Sequence, residues 1–301
     1  MIFLNYFMFV QTNSIKTVKS YFQDRLKGKF SVNEIKLIGN DVFCSRLDLS
    51  GTDLIGIDEQ LLSESDLLYF RSVVKRLLLD EPFQYVVGNA HFYGLILKCD
   101  QRALIPRPET EELVDWVKDT FIGKKNTSIV DLCTGSGCIG LALKSVFPDA
   151  HVFLTDYSEE ALELAKENTH LTGFDVGIKQ FDATLPADYE KSFDGFEGKM
   201  DCWISNPPYI PIDEKSLMND NVINFEPHMA LFVPNNEACV FYSAIAEMAL
   251  VYLKPGGFLF FEIHENYAEN VKLILSEFGY REVIVRRDLQ NKERMVRAIK
   301  G

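Results

Sequence analysis

The sequence predicts an α/β fold: a mostly parallel sheet covered by helices on both faces and ended by an antiparallel hairpin, with a small helical domain in front of it. Three observations carry this. From residue 128 onward short apolar runs alternate with helical segments, an order that calls for a parallel sheet. Near the end, "EVIVRRD" and "RMVRAIK" read as strands separated only by "LQNKE", which permits only a hairpin, so one of them runs antiparallel to its neighbour. Residues 14 to about 80 instead repeat apolar residues at helical spacing.

In chain order, "IKTVKSYFQDRL" places apolar residues at 15, 18, 21, 22 and 26, close to a period of 3.6. "SESDLLYFRSVVKRLLLD" opens with a capping-box pattern, Ser63 to Asp66, and carries a stripe through Leu67, Phe70, Val74 and Leu77. No nucleotide-like loop occurs here, so residues 1–82 read as a helical domain for contact or support. Residues 83–107, "FQYVVGNAHFYGLILKCDQRALIPR", mix β-branched and aromatic residues with Gly and Asn and suggest a hairpin connecting two domains. The second domain, 108–301, opens on "PRPETEELVDWV". Pro108 suits a first helical turn, and Glu109, Glu111 and Glu112 favour the positive end of the helix dipole. Strands are then expected at "SIVDL", "HVFLTD", "GIKQFD", "DCWIS" and "FLFFEI", with helices near 138–147, 158–171, 237–253 and 267–278.

The bulk numbers exclude several classes. The 301 residues suffice for one large or two ordinary domains. With 47% hydrophobic and 25% charged residues the chain reads as soluble and globular. A net charge of −13 argues against a partner gripped mainly through phosphates, which needs clustered Lys and Arg. Six cysteines, at 44, 99, 133, 138, 202 and 239, form no C-x-x-C pair and have no His cluster beside them, so no metal site is expected. Several lie in apolar runs, where a reduced thiol behaves as a small hydrophobe, and a reducing cytoplasm is the expected setting. "MIFLNYFMFV" is apolar but ten residues long, against roughly 17–25 for a membrane helix. It lacks the basic start and the small-residue cleavage site of a signal peptide. It reads as an extra turn of buried helix or a start codon placed too early, with no role at a membrane.

The first chemical motif is "VDLCTGSGCIGLAL". A strand ends at Asp131–Leu132, a glycine loop follows, and a helix begins near Cys138. Gly135 and Gly137 let a ligand approach the backbone closely, and Gly135-x-Gly137-x-x-Gly140 fits the dinucleotide pattern, a weak match when alone. The next strand ends in Asp156, about twenty residues on, where a carboxylate can accept both hydroxyl hydrogens of a ribose. A tight turn with a capping aspartate explains neither the glycines nor that spacing, so an adenosine-containing cofactor is expected. NAD and S-adenosylmethionine both fit at this point. Asp131 could attract an ammonium group, and Asp182 and Ala183, ending the third strand, are placed to meet an adenine.

The second motif is "SNPPYI". Two prolines cannot continue a strand ladder, since each lacks an N–H and has φ fixed near −65°. The chain therefore leaves the sheet at Asn206, on the same side as the glycine loop, because ligands of open α/β sheets sit outside the strands' carboxyl ends. The Asn206 side-chain carbonyl can accept a hydrogen bond from an N–H₂ group and the Pro207 backbone carbonyl a second, while Tyr209 packs on the flat group they hold. Glutamine and adenine both present such a nitrogen. Because its lone pair is delocalised, positioning and desolvation must do much of the work.

With these motifs in place, the chain resembles the protein-glutamine methyltransferases of the HemK/PrmC type, within the Rossmann-like class I methyltransferases. The resemblance covers most of the sequence: "QYVVGNAHFYGL", "LIPRPETEELVDW", "DLCTGSGCIGLAL", "DYSEEALELAKEN", "SNPPYI", "FEPHMAL", "LKPGGFLFFEI" and "RDLQNKERMV". "IPRPETE" is the most specific of these; "NPPY" is shared with adenine and guanine methyltransferases. The resemblance implies S-adenosylmethionine as cofactor and, as substrate, the glutamine of a Gly-Gly-Gln loop in peptide-chain release factors. It implies binding of cofactor or substrate by Cys133, Thr134, Gly135, Ser136, Gly137, Asp156, Asn206, Pro207, Pro208 and Tyr209. It also implies that the helical N-terminal domain contacts the release factor; a monomer without direct nucleic-acid binding is expected. Two departures stand out. The family commonly has glycine at the position of Cys133, and a glycine then a glutamine after "FFEI", where this chain reads "HENYAENV". Small, weakly polar Cys133 reads as tolerated. Two alternatives share parts of the pattern. A nucleic-acid amino methyltransferase would share fold, cofactor and Asn206, but the −13 charge, the lack of a basic recognition domain and "IPRPETE" speak against it. An NAD-dependent oxidoreductase or nucleotide-binding module leaves "NPPY" unexplained.

Overall fold

The computed structural model describes residues 10–193 and 195–301. The apolar opening segment lies outside the described residues except for Val10, which is buried. The chain divides into two compact units, one ending at Gly88 and the other running Asn89–Gly301.

The first unit consists of α1 (Ile15–Leu26), α2 (Val32–Leu47), α3 (Glu64–Leu78) and the single turn α4 (Phe83–Val87). The serines preceding the long helices cap them. Ser14 accepts from the Thr17 N–H, and Ser31 with Glu34 and Ser63 with Asp66 form reciprocal capping boxes. The predicted stripes face one core, where Phe43 stacks on Phe70 with centroids 4.3 Å apart and Phe22 closes the cluster.

Residues 83–87 were expected to be part of a hairpin and are helical instead. Pro82 leads into the turn, and Gly88, in the left-handed region at φ +80°, caps it. The hairpin is shorter and belongs to the second unit: β1 (Asn89–Phe92) pairs with β2 (Leu95–Lys98), and Phe92 and Leu97 are buried with Leu113, Trp116 and Phe260. Burial of Phe92 and Leu97 accounts for the apolar positions of this hairpin.

The rest of the second unit runs α5 (Pro108–Thr120), β3 (Ser128–Leu132), α6 (Cys138–Val146), β4 (His151–Asp156), α7 (Glu159–Thr172), β5 (Gly177–Gln180), α8 (Pro186–Phe193), β6 (Met200–Ser205), β7 (Ile210–Pro211), α9 (Asp220–Phe225), β8 (Phe232–Val233), α10 (Val240–Tyr252), β9 (Leu253–Glu262), α11 (Ala268–Glu277), β10 (Arg281–Arg287) and β11 (Glu293–Ile299). Seven strands form one sheet in the order β10-β11-β9-β6-β3-β4-β5. β5, β4, β3, β6 and β9 are parallel. β11 is antiparallel to both β9 and β10, as the short link required.

Both faces of the sheet are covered. Successive residues of β3 and β6 enter different cores: Ile129, Cys202 and Ile204 meet Leu141 and Phe260, whereas Val130 and Trp203 meet Tyr189 and Tyr252. Trp203 packs near-parallel to both tyrosines, centroids 5.6 and 5.8 Å away, and the tyrosines lie 6.3 Å from each other. The strand order reverses at β3. β4 follows on one side and β6 on the other, so a crevice opens at the carboxyl ends of this pair.

Candidate active site

Register brings the two motifs together. Leu132 of β3 pairs with Ser205 of β6, so the residues that follow, Cys133 and Asn206, leave the sheet side by side. The Ser205 hydroxyl donates to the Leu132 carbonyl at 2.8 Å and ties the strand ends. On the other side Leu132 pairs with Thr155, which brings Asp156 to the same rim.

The glycine loop is built on left-handed backbone. φ is +56° at Cys133, +55° at Gly135 and +85° at Gly137, which caps α6. A Cβ on Gly140 would lie 2.1 Å from Leu154 Cδ2, so this glycine lets α6 lie close on β4. Beneath the loop, Asp131 is fully buried. Its Oδ2 accepts from the Thr134 hydroxyl at 2.5 Å and the Gly140 N–H at 2.9 Å, while Oδ1 has no partner. Burial is the main cause that pushes its carboxyl up to about 7. Asp156 accepts from the Gly135 N–H through Oδ2 and from the Ser158 N–H through Oδ1, both at 2.9 Å. Desolvation raises this carboxyl too, against the lowering effect of those N–H groups.

The Asn-Pro-Pro-Tyr turn is held at both ends. Past it, the Ile210 N–H donates to the Leu231 carbonyl, and β7 pairs with β8 in parallel. At its start, Asn206 Nδ2 donates to Thr110 Oγ1 at 3.4 Å. The Tyr209 hydroxyl donates to Glu262 Oε1 at 3.2 Å, and Thr110 donates to Glu262 Oε2 at 2.6 Å.

Between these corners lies a cavity of about 300 Å³, the size of small-molecule sites. Cys133, Thr134, Gly135, Ser136, Asp156, Asp182, Ala183, Asn206 and Pro208 line it, as the sequence suggested. Asp131, Gly137, Pro207 and Tyr209 are not among its described lining residues. Asp131 was expected to face an ammonium, but its loop-facing oxygen is committed to Thr134 and Gly140. Gly137 serves as the helix cap, Pro207 is buried in the turn, and Tyr209, expected on a substrate plane, is drawn to the buried Glu262. The Asp182 carboxylate is taken up by the Thr184 N–H and hydroxyl. His264 and Glu265, noted as departures, do not line the cavity either: His264 pairs with Glu214 at 3.0 Å and Glu265 with Lys292 at 3.1 Å.

Sequence reasoning missed part of the wall. Residues 102–107 with Pro227, Met229 and Ala230 also line the cavity, and Ala103 lies against Gly135 of the glycine loop. Fully buried Glu226 joins them, accepting from Arg107 Nη2 at 2.7 Å and from the Ile105 N–H at 3.2 Å. A signal existed: Arg107 and Thr110 lie in "IPRPETE", and Glu226 opens "EPHMAL". Glu262 was visible as an acid inside the apolar run "FLFFEI".

These residues fit an adenosine. Each Asp156 oxygen accepts one backbone N–H and keeps a lone pair for a ribose hydroxyl. Ile139, Phe181, Ala183 and Phe241 supply apolar wall for a flat base. The fold and the cavity define an S-adenosylmethionine-dependent methyltransferase, and a family model described as a methyltransferase domain matches residues 123–299. Release factor glutamine methyltransferases from Flavobacterium psychrophilum (32% identical) and Bacteroides thetaiotaomicron (35%) align over 94% and 93% of this chain and 98% of their own. The chain belongs to the release factor glutamine methyltransferase family. Among solved structures, the 16S rRNA N2 G1207 methyltransferase of T. thermophilus shares the fold. It has a TM-score of 0.50 and 16% identity over 71% of this chain and 50% of that one.

Proposed function

We propose that this protein transfers the methyl group of S-adenosylmethionine to the side-chain amide nitrogen of the glutamine in the Gly-Gly-Gln loop of peptide-chain release factors. The observation that carries the reading is the placement of Asn206: it lines the same cavity as Asp156 and the glycine loop, one residue beyond the Leu132–Ser205 pair. Asp156 holds the ribose, and the loop from Cys133 to Ser136 and the Ala183 wall hold the remainder of the cofactor. When bound, the cofactor supplies an electrophilic methyl carbon on a sulfonium centre. Asn206 Oδ1 accepts a hydrogen of the substrate amide and aims its nitrogen. The two prolines and the β7–β8 pair keep that turn from yielding. The walls at 102–107 and at Pro227, Met229 and Ala230 exclude water, which strengthens that hydrogen bond.

The helical unit ending at Gly88 contacts the release factor, and the enzyme works as a cytoplasmic monomer without binding nucleic acid directly. A chain beginning at Asn89 keeps the hairpin residues Phe92 and Leu97 in their core. It is expected to retain cofactor binding by calorimetry and to lose most activity on an intact release factor. Full activity of this shorter chain refutes the contact role.

The direct test is incubation of release factors with the protein and S-adenosylmethionine, followed by peptide mass spectrometry. One added methyl group on the Gly-Gly-Gln glutamine is the expected result. An unmodified release factor beside a methylated RNA or DNA base overturns the proposal.

A further inference from the structure

Asn206 can orient a substrate amide only if its own amide is turned the right way, since oxygen and nitrogen have almost the same shape and opposite roles. Its surroundings decide the matter through one hydroxyl. Thr110 Oγ1 carries a single hydrogen, directed to Glu262 Oε2 at 2.6 Å. Glu262 is 3% exposed, and its other oxygen accepts from the Tyr209 hydroxyl at 3.2 Å. Burial raises the Glu262 carboxyl, opposed by the Thr110 hydroxyl, the nearby Arg294 guanidinium and the Tyr209 hydroxyl; in the ionised form that these three favour, it has no hydrogen to return. Thr110 Oγ1 can therefore only accept from Asn206, which turns its Nδ2 to Thr110 at 3.4 Å. The flipped amide would set two oxygens against each other with no hydrogen between them. Fixing Nδ2 on Thr110 leaves Oδ1 to accept from whatever enters the cavity.

From this relay we infer that Thr110, its hydroxyl held by Glu262, is a positioning residue for methyl transfer that acts by fixing which face of the Asn206 amide meets the substrate. The inference rests on the proposed reading that Asn206 Oδ1 accepts a substrate amide hydrogen. It also gives a chemical reason for the threonine of "IPRPETE", which lies 96 residues from Asn206 in sequence, and for a buried acid at the end of β9. Valine is close to isosteric with threonine but offers no acceptor. In its place Nδ2 has no partner, and the Asn206 amide is free to turn.

The test is a double-mutant cycle read by single-turnover methyl transfer to a release factor at saturating cofactor, with cofactor affinity from calorimetry. Thr110→Val is expected to slow transfer about tenfold, the equivalent of one lost hydrogen bond in a buried site, while cofactor affinity stays within about twofold. Thr110→Ser restores the hydroxyl and recovers most of the rate. In an Asn206→Ala background, Thr110→Val adds less than about a twofold loss, because the group it positions is gone. A merely bracing threonine costs the same in both backgrounds, and that additivity overturns the inference. Slow Asn206→Ala with near-parental Thr110→Val overturns the positioning role alone. Near-parental Asn206→Ala overturns the reading of Asn206 and this inference with it. Should Thr110→Val not fold by circular dichroism, Thr110→Ala takes its place in the same cycle and is judged by the same outcomes.

Discussion

The two corners that frame the cavity are stiffened by opposite means. The corner after β3 is made of residues that allow unusual backbone: three positive φ angles within five residues, and main-chain N–H groups turned to carboxylates. The corner after β6 is made of residues that forbid movement, two prolines braced by side chains at either end. Each rests on a buried acid. Asp131 serves its corner through one oxygen and leaves the other unpartnered, whereas Glu262 uses both oxygens on hydroxyl donors. The difference follows from what each must hold. A loop that receives a cofactor against its main chain has to bring backbone atoms close. A turn that aims a substrate nitrogen has to hold a side chain still.

The comparison can be broken at the second corner with the largest effect. Asn206→Ala is expected to cut single-turnover methyl transfer by about 10²-fold or more while leaving the fold and much of cofactor binding intact, because misplacement by about 1 Å can cost that much. Asn206→Asp keeps an acceptor and adds a charge to be desolvated, so it should fall between Asn206→Ala and the parent. Near-parental rates for both reduce the second corner to a stiff turn.

At the first corner the acid itself is the next lever. The Asp131 carboxyl lies at about 7 in the fold against an ordinary 3.8, with desolvation the chief cause. The folded state thus keeps its proton where the unfolded chain has lost it, and stability falls as pH rises from about 4 to about 7 and levels off beyond. Between pH 5 and 8 the parent should lose on the order of 2 kcal/mol more than Asp131→Asn, which cannot ionise. Denaturant unfolding at the two pH values measures it, and parallel losses would remove Asp131 as the source.

Asp156→Ala tests whether this corner binds the cofactor through side chains as well as main chain. Losing the acceptor for the ribose hydroxyls should weaken S-adenosylmethionine by at least about tenfold in calorimetry, and freeing the Gly135 and Ser158 N–H groups should also lower thermal stability. An unchanged affinity means that the main chain alone suffices.

Cys133→Gly should be smallest. A side chain at φ +56° costs roughly 1–2 kcal/mol in the left-handed region, and glycine returns about 0.4–1 kcal/mol through the unfolded chain. A net gain of about 0.5–1 kcal/mol by denaturant titration is expected; a loss would show that the thiol's packing outweighs the backbone strain.

Both corners could be read from the sequence, because each is written in consecutive residues whose chemistry is local: glycines that admit positive φ, prolines that end a strand, an acid at a fixed distance. The strands of the sheet were legible for a related reason, since burial on both faces produces unbroken apolar runs. What supports the corners was not legible. Thr110 and Glu262 are 152 residues apart, and Arg107 and Glu226 are 119 apart; no periodicity links them. Residues 83–87 were misread because β-branched and aromatic residues hid a helical turn that Pro82 and Gly88 fix from its ends. Short elements such as α8 and α9 passed unnoticed because so few residues leave no measurable period.

The insertion of β11 between β9 and β10 has a consequence for the nascent chain. Main-chain pairing along one edge of β9 waits for the strand that follows β10, and Met295 is the partner of Glu262 itself. Until residues 293–299 have been translated, the acid beneath the Asn-Pro-Pro-Tyr turn sits on an open sheet edge, a template for pairing with other chains. Premature stops or cleavage before Glu293 would therefore yield an aggregation-prone polypeptide rather than a weakened enzyme.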